Sequence, residues 1–533
     1  MPDVDPTCKD AGATTDGSRL ARATVGAWVT AAAHETPEKT AVIGRDAVLS
    51  YGQLFENSSR LAQSLKDLGL AKGDVVGIQL PNIPEFVICH VAISMLGAVA
   101  ALLHMPYRAG DLEPLLKYAR VRAVICLSRT EKYDAPATLE GLKKSVPTLD
   151  FVIVAGGDAP QGSVGLSNLI ATGIPGLAGI DPPEPEDPAV LAFTSGTSAA
   201  PKGVLRDYGT LLGNQQVIAA VYGLTSADRI FSAPPFTHIF GTCCLNLALC
   251  VRGAIVLMPV FTPESFRDAL CRATVVFAAP AHVSACLKAG SLAGADLSGV
   301  RLIGIAGSAC PPELIVKLEG ALPNAIVGQL FGMTETLMTL VTPHDGGQHV
   351  RRTTVGAPTP GVEVRIRADA ADPPPGVEGE LEIRGYSVFR GYWSNPDATE
   401  EAFSSDGWFR TGDLATIDPA GNVALTGRIK DIINRGGIKF NPLDIELLLE
   451  RHPGVRRAAV VPVPDEVLTE RACLFVSLAS EATLTLAQIL DYLQDNGVAK
   501  HRWPERLEVV AEMPMTATQK IKKGDLVRLL EPS

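Results

Sequence analysis

Between Thr194 and Val204 the sequence reads TSGTSAAPKGV, which crowds hydroxyls, a glycine and a lysine into one short stretch. That mixture suits an anion: Thr194, Ser195, Thr197 and Ser198 offer hydroxyls, Gly196 and its neighbours offer backbone N–H groups, and Lys202 supplies a positive charge. The apolar run Val190 to Phe193 just before it predicts a strand, so the loop leaves a strand end, where phosphate loops sit. It is not a Walker A loop. Lys202 is followed by Gly203 and not by a hydroxyl that would hold Mg²⁺, so a metal ligand has to come from elsewhere. Read alone, the stretch fits a solvated Ser/Thr/Gly turn equally well.

The surrounding elements indicate what would hold such a loop. Tyr51 to Leu68 places Leu54, Leu61, Leu65 and Leu68 on one helical face and stops at Gly69, after which VVGIQL predicts a strand. Similar runs at 122–127, 151–154, 273–278 and 301–305, separated by helix-length segments, predict mainly parallel sheets covered by helices. Phe86 to Leu103 approaches membrane-spanning length. His90, Ser94 and Gly97 interrupt it, however, so a buried helix ending near Gly97 and a strand over 98–103 are expected instead. From Val362 onward the short alternating runs VEVRI and GELEIRG predict a small β module. The chain then ends in a small α+β unit whose clearest helix, Leu486 to Leu493, has Thr485 as its cap and Gly497 as its stop.

A chain of 533 residues is too long for one ordinary core, and its net charge of −11 gives no electrostatic footprint for nucleic acid. The ten cysteines show no CxxC spacing, which predicts reduced, buried thiols in a cytoplasmic protein. Residues 1–18 are polar and lack an apolar h-region, so they read as a loose tail and not as a signal peptide, and no integral membrane segment is expected. A monomer and a homodimer are both compatible with the sequence.

Further segments follow the loop in fixed order: PPFTHIFG at 234–241, AGSACPPEL at 306–314, GQLFGMTET at 328–336, GWFRTGDL at 407–414, GRIKDIINRGG at 427–437 and PMTATQKIKK at 514–523. Together they resemble the adenylate-forming family of acyl- and aryl-CoA synthetases, luciferases and peptide-synthetase adenylation domains, from about residue 25 to the C-terminus. The resemblance implies an α/β fold with a large N-terminal adenylation domain over 25–429, preceded by a flexible tail over 1–24. A small mobile C-terminal domain, hinged at Lys430, would then span 430–533. It implies ATP, Mg²⁺ and coenzyme A as partners of a small carboxylic acid.

Residue by residue, the resemblance makes Thr194, Ser195, Gly196, Thr197, Ser198 and Lys202 the phosphate loop, Thr334 a phosphate contact and Glu335 the Mg²⁺ ligand. Phe331 would lie along adenine, with Gly307, Ser308 and Ala309 on its other side. From the residues alone, Phe331 as plain core and GMTET as a helix start capped by Thr334 stand as alternatives. Asp413, an acceptor-only group between apolar Trp408 and Leu414, is expected to be buried and partnered, and suits ribose hydroxyls. Arg428 offers a fixed donor fork for ribose or phosphate. Lys520 would bridge the carboxylate and the α-phosphate; otherwise Lys520, Lys522 and Lys523 read as a solvated face. The family usually has glycine where Ala199 and Gln519 stand.

The acid itself would meet Phe236, His238, Ile239, Phe240, Ala306, Leu330 and Met333. His238 matches the family's gating position and is otherwise a satisfied core histidine. The apolar members offer no cation, which favours a medium-chain, alicyclic or aromatic acid over an amino acid. The expected reaction is AMP-forming acid:CoA ligation. Gly436 and Gly437 would admit a thiol arm, either of free CoA or of a carrier protein, and free CoA is expected because no carrier domain follows Lys523. A luciferase-like oxygenase has no oxygen site to point to. A non-catalytic acyl- or nucleotide-binding regulator is opposed by the joint presence of Lys202, Glu335, Asp413, Arg428 and Lys520.

Overall fold

The computed structural model describes residues 23–131, 133–194, 202–368, 373–479, 482–516 and 520–530. Among these residues the strands fall into four sheets, and the chain divides into two compact units. The larger unit runs to Glu363 and takes back Arg384–Gly407; the smaller comprises Val364–Ile383 and the chain from Trp408 onward.

Two sheets build the larger unit. In the first, strands Phe151–Ala155, Ala123–Leu127, Val75–Gln79, Val99–Leu102 and Pro188–Thr194 lie side by side in parallel. Strand Lys202–Asp207 closes one edge, antiparallel to Pro188–Thr194. In the second, strands Arg229–Ser232, Val275–Ala278, Leu302–Ile305 and Ile326–Met333 are parallel neighbours, and Leu337–Val341 returns antiparallel beside the last. Val75–Gln79, Val99–Leu102 and Leu302–Ile305 are buried throughout, as strands covered on both faces require, and this explains their unbroken apolar runs.

The apolar stretch after Pro84 is a helix, Pro84–Leu96, with every residue from Phe86 onward buried. Gly97 ends it at φ 74, and strand Val99–Leu102 follows. None of the helices among the described residues is long and apolar enough to cross a membrane. Helix Tyr51–Asp67 starts from a capping box made by Ser50 and Gln53, and buries Leu54, Leu61 and Leu65.

The smaller unit holds most of a sheet of Val362–Arg367, Gly379–Gly385, Phe409–Ile417 and Val423–Arg428, the last three antiparallel neighbours, and a second sheet centred on Val455–Asp465 and Thr469–Leu478. Helices Leu443–Leu449 and Leu486–Asp495 cover the second sheet, burying Ile445, Leu449, Ile489 and Leu493 in its core. The described cysteines are all free thiols, as expected. Cys271, however, is exposed just past helix Pro263–Leu270, which corrects the expectation that the thiols are buried.

Helix Pro280–Lys288 follows strand Val275–Ala278 and carries a buried imidazole at its start. His282 Nδ1 accepts from the Ala279 N–H at 3.2 Å, and its ring lies 4.9 Å from Phe261 and 6.5 Å from Phe266. Burial holds this imidazole down to about 4. The unfolded chain, with an ordinary histidine near 6.5, then binds more protons than the folded one between those values, so stability is full above about pH 6.5 and falls as pH drops toward 4. The loss approaches about 3 kcal/mol. His282→Gln should flatten the fall in melting temperature between pH 6.5 and 4.5 measured by calorimetry, and an unchanged slope would refute this assignment.

Candidate active site

The sheet topology brings the acid-pocket and adenine positions to one edge. Phe236 to Phe240 follow strand Arg229–Ser232, Ala306 to Ala309 follow Leu302–Ile305, and Leu330, Phe331 and Met333 lie at the carboxyl end of Ile326–Met333. Those strands are linked through Val275–Ala278, so all three segments emerge at the carboxyl ends of adjacent parallel strands, where open α/β sheets bind ligands. Gly307 takes φ 100, a conformation that favours glycine, and turns the chain there with Ser308 exposed.

Phe236, Ile239, Ala306 and Leu330 are buried in one apolar core, and Phe240 packs against it half-exposed, edge-on to Phe277 at 6.2 Å. His238 has a local structural task that the sequence reading did not include. Its Nδ1 accepts from the Phe240 N–H at 3.2 Å and caps helix Ile239–Cys250. Its ring stacks 6.1 Å from that of His104, whose Nδ1 lies 3.3 Å from Thr237 Oγ1.

GMTET is not a helix start; the structure corrects that alternative. Strand Ile326–Met333 turns back through Thr334, Glu335 and Thr336 into Leu337–Val341. Thr336 N–H donates to Met333 O at 3.3 Å, and Thr336 Oγ1 accepts from Met333 N–H at 3.2 Å. The turn is strained: Leu337 takes φ 61, rare for a branched apolar residue. Gly332 is fixed by contact, since a Cβ there would sit 1.9 Å from Leu337 O.

The turn is pinned from three sides. Asn214 Nδ2 donates to Met338 O at 2.8 Å while its Oδ1 accepts from Met338 N–H at 3.3 Å. Phe389 N–H donates to Glu335 O at 2.7 Å. Arg206, only 1% exposed, donates from Nη1 to the same Glu335 O at 3.0 Å and from Nη2 to Ser387 O at 2.7 Å. Burial pushes the Arg206 guanidinium down to about 10, with Asp207 and Glu335 among the groups opposing the fall.

The Glu335 side chain, 6% exposed as a residue, accepts through Oε1 from Tyr392 Oη at 3.0 Å. Lys202 opens strand Lys202–Asp207 opposite Thr194, whose Oγ1 donates to Lys202 O at 3.4 Å. Its Nζ lies 4.9 Å from the centroid of the Tyr392 ring. Lys202 and Glu335 are therefore brought together on one tyrosine. Ser195, Gly196, Thr197, Ser198 and Ala199 lie outside the described residues. A group of three or more His, Cys, Asp or Glu residues that could hold a metal does not occur among the described residues. One fixed carboxylate still fits Mg²⁺, which keeps several waters and is bound by one or two carboxylates together with substrate phosphates.

In the smaller unit Asp413 is buried at 5% exposure and its Oδ1 accepts from Arg428 Nε at 2.6 Å, across paired strands. The expected partner of this carboxylate is thus the neighbouring candidate residue itself. Lys430 is exposed in the short turn Ile429–Asp431, where partial desolvation of its ammonium, with the charges of Arg428 and Lys523 beside it, lowers its basicity. Gly436 and Gly437, at φ 59 and 90, form a two-residue hairpin turn between Ile433–Arg435 and Ile438–Phe440, a backbone reason for both glycines. The lysines near the C-terminus separate by environment. Lys523 Nζ pairs with buried Glu446 at 2.7 Å, Lys522 Nζ lies 3.9 Å from Asp525, and Lys520 is exposed with its N–H donating to Thr516 Oγ1 at 3.0 Å. Gln519 lies outside the described residues.

Arg206, Asn214, His104 and Tyr392 were missed in the sequence. The one available signal was the aromatic pair Tyr392-Trp393 set between Gly391 and Pro396, an aromatic run inside a turn-rich stretch.

A family model described as AMP-binding enzyme matches residues 29–393, and one described as AMP-binding enzyme C-terminal domain matches residues 444–520. The chain is 31% identical over 500 residues to a medium-chain fatty-acid–CoA ligase of Escherichia coli, covering 92% of this chain and 88% of that protein. It is 32% identical over 488 residues to a salicyl-AMP ligase / salicyl-S-ArCP synthetase of Mycobacterium tuberculosis, covering 90% and 85%. Among solved structures, the anthranilate CoA ligase AuaEII in complex with anthranoyl-AMP superposes with a TM-score of 0.87 at 25% identity, covering 97% of this chain and 99% of that one.

Arg206→Met removes the donor to Ser387 O and one of two donors to Glu335 O, while relieving the cost of burying a guanidinium. Thermal melting should report a net loss of about 1–3 kcal/mol. A variant as stable as the wild type would show that the clamp does not hold the turn.

Proposed function

The chain belongs to the family of AMP-binding enzymes, and from that premise we propose that it ligates an apolar carboxylic acid to coenzyme A through an acyl-adenylate. The observation that supports this reading best is the meeting of Lys202 and Glu335 on Tyr392, in a turn held by Arg206 and Asn214. A cation and an anion held at fixed positions suit a magnesium–triphosphate, which presents both signs of charge.

A carboxylate is a poor acyl donor because its leaving group would be oxide. In the proposed first step a carboxylate oxygen forms a bond to the α-phosphorus of ATP, the α–β bridge bond breaks, and pyrophosphate leaves. In the second, a thiol sulfur bonds to the acyl carbon, the bond to AMP breaks, and the thiol proton passes to solvent. Such chemistry asks for charge neutralisation more than for a base. Mg²⁺, when bound, supplies part of that neutralisation, and Glu335 is the residue proposed to hold it. Lys202 and Thr194, with Ser195, Thr197 and Ser198, are assigned to the phosphates. Phe331 with Gly307 to Ala309 is assigned to adenine, and Asp413 with Arg428 to the ribose. Lys430, Gly436 and Gly437 are assigned to the thiol-transfer step, with 429/430 as the proposed domain boundary.

The acceptor has two readings. The name of the Mycobacterium tuberculosis relative includes transfer to a carrier protein, that of the Escherichia coli relative includes CoA. A pyrophosphate-release screen over a panel of aliphatic, alicyclic and aromatic acids, with and without CoA, decides between them. We expect release with apolar acids, thioester only when CoA is added, and no turnover of free amino acids. Turnover of an amino acid would overturn the reading of the pocket, and acyl-AMP that never passes to CoA would move the assignment to a carrier protein.

Lys520 is proposed to act on adenylation alone. Negative charge gathers between the carboxylate and the α-phosphate in that step, and one ammonium placed there is worth about 3–4 kcal/mol, or about 10²- to 10³-fold in rate. Lys520→Ala should lose adenylation by that factor yet convert supplied acyl-AMP and CoA to thioester near the normal rate. Lys522→Ala, whose ammonium already leans toward Asp525, should change neither step. Equal loss of both steps in Lys520→Ala would contradict the assignment.

A further inference from the structure

Tyr392 is tied into the larger unit at more points than a surface aromatic needs. Its N–H donates to Thr399 Oγ1 at 2.9 Å, its ring meets Phe389 edge-on at 4.8 Å, and its backbone bridges Val204 of the strand that begins at Lys202. Trp393 continues that pairing, with its N–H donating to Gly203 O at 2.7 Å and its indole Nε1 to Tyr118 O at 3.3 Å. A Cβ at Gly203 would meet Trp393 Cβ at 3.2 Å, so the two segments run in contact. The segment around Tyr392 is thus laid alongside the strand that carries the loop lysine. Phe389, three residues earlier, holds the backbone of the Glu335 turn.

We propose that Tyr392 is a positioning residue for the proposed magnesium–ATP site, holding Glu335 through its hydroxyl and Lys202 through its ring face so that the two opposite charges keep separate stations. The inference rests on the assignment of Lys202 and Glu335 to ATP and Mg²⁺ given above. The two contacts use different parts of one side chain: the hydroxyl donates to Glu335 Oε1 at 3.0 Å, and the ring centroid lies 4.9 Å from Lys202 Nζ. A carboxylate and an ammonium that meet on one ring would otherwise be drawn to each other and neutralise the site before any ligand arrived. The phenol orients the carboxylate through Oε1, and an oriented carboxylate suits a hard cation. Because the ring survives in phenylalanine, the two roles can be separated by substitution.

The test measures ligand binding and not turnover. Binding of α,β-methylene-ATP to the full chain is followed by calorimetry across a series of MgCl₂ concentrations. Tyr392→Phe should raise the Mg²⁺ concentration for half-maximal enhancement about 10-fold or more, the loss expected for a hydrogen bond to a charged group, while Mg²⁺-free binding stays within about 2-fold of wild type. Tyr392→Leu, which removes the ring as well, should also weaken Mg²⁺-free binding by about 3-fold or more. In a Glu335→Gln background, Tyr392→Phe should have no further effect on the Mg²⁺ requirement. An unchanged Mg²⁺ requirement in Tyr392→Phe, or a parallel loss of Mg²⁺-dependent and Mg²⁺-free binding tracking a lowered melting temperature, overturns the proposal. Failure of the wild type to bind the analogue with or without Mg²⁺ is a different outcome, which overturns the ATP assignment and this inference together.

Discussion

The turn that carries Glu335 has to be held against its own strain. Leu337 sits at φ 61, and a branched apolar side chain in that region costs about 1–3 kcal/mol unless its surroundings impose it. Here they do. Asn214 takes both backbone groups of Met338, Arg206 and Phe389 share the Glu335 carbonyl, and Gly332 leaves room for Leu337 O to approach. A residue so constrained at the backbone cannot drift, and the contact from Tyr392 gives its carboxylate a direction.

That constraint explains why a full guanidinium is buried in the larger unit. Among the described residues Arg206 donates to two backbone carbonyls and not to a carboxylate, so it binds segments of chain together: the Glu335 turn and the stretch at Ser387, both reached from the strand that starts at Lys202. The same strand thus begins with the lysine proposed for the phosphates and, four residues later, anchors the turn bearing the proposed metal ligand. The distance between the two charges is set by one strand, one turn and one tyrosine ring, all within a single compact unit.

Much of this was legible in the sequence wherever the cause is local. The end of the buried helix at Gly97, the cap at Thr485 and the parallel strands expected at 122–127, 151–154 and 301–305 follow from neighbouring residues, and the structure has the strands at Ala123–Leu127, Phe151–Ala155 and Leu302–Ile305, each bound within about one residue of where the spacing put it. Asp413 was read as buried and partnered from its flanking Trp408 and Leu414, and it is. What escaped were partners distant in sequence. Arg206 looks like any alternate residue of an edge strand, since nothing near it in the chain reveals that Glu335 and Ser387 will close over it. Tyr392 pairs with a glutamate 57 residues away. The GMTET segment was ambiguous for the opposite reason, because Thr-Glu-Thr suits a helix cap as well as a turn, and only pairing of Leu337–Val341 with the preceding strand decides between them. Gly436 and Gly437 show that a glycine pair read as access for a thiol can equally be required by a tight hairpin.

The central claim is that these two charges serve attack by a carboxylate on the α-phosphate of ATP. Oxygen transfer tests it most directly. Whichever acid of the panel supports pyrophosphate release is supplied with ¹⁸O in both carboxylate oxygens, together with ATP, Mg²⁺ and CoA, and the products are weighed by mass spectrometry. The account predicts one ¹⁸O atom in the AMP released and none in pyrophosphate, because the oxygen that joins the acyl group to phosphorus stays with AMP when the thiol attacks carbon. Label appearing in inorganic phosphate or pyrophosphate, or AMP formed without label, would contradict it.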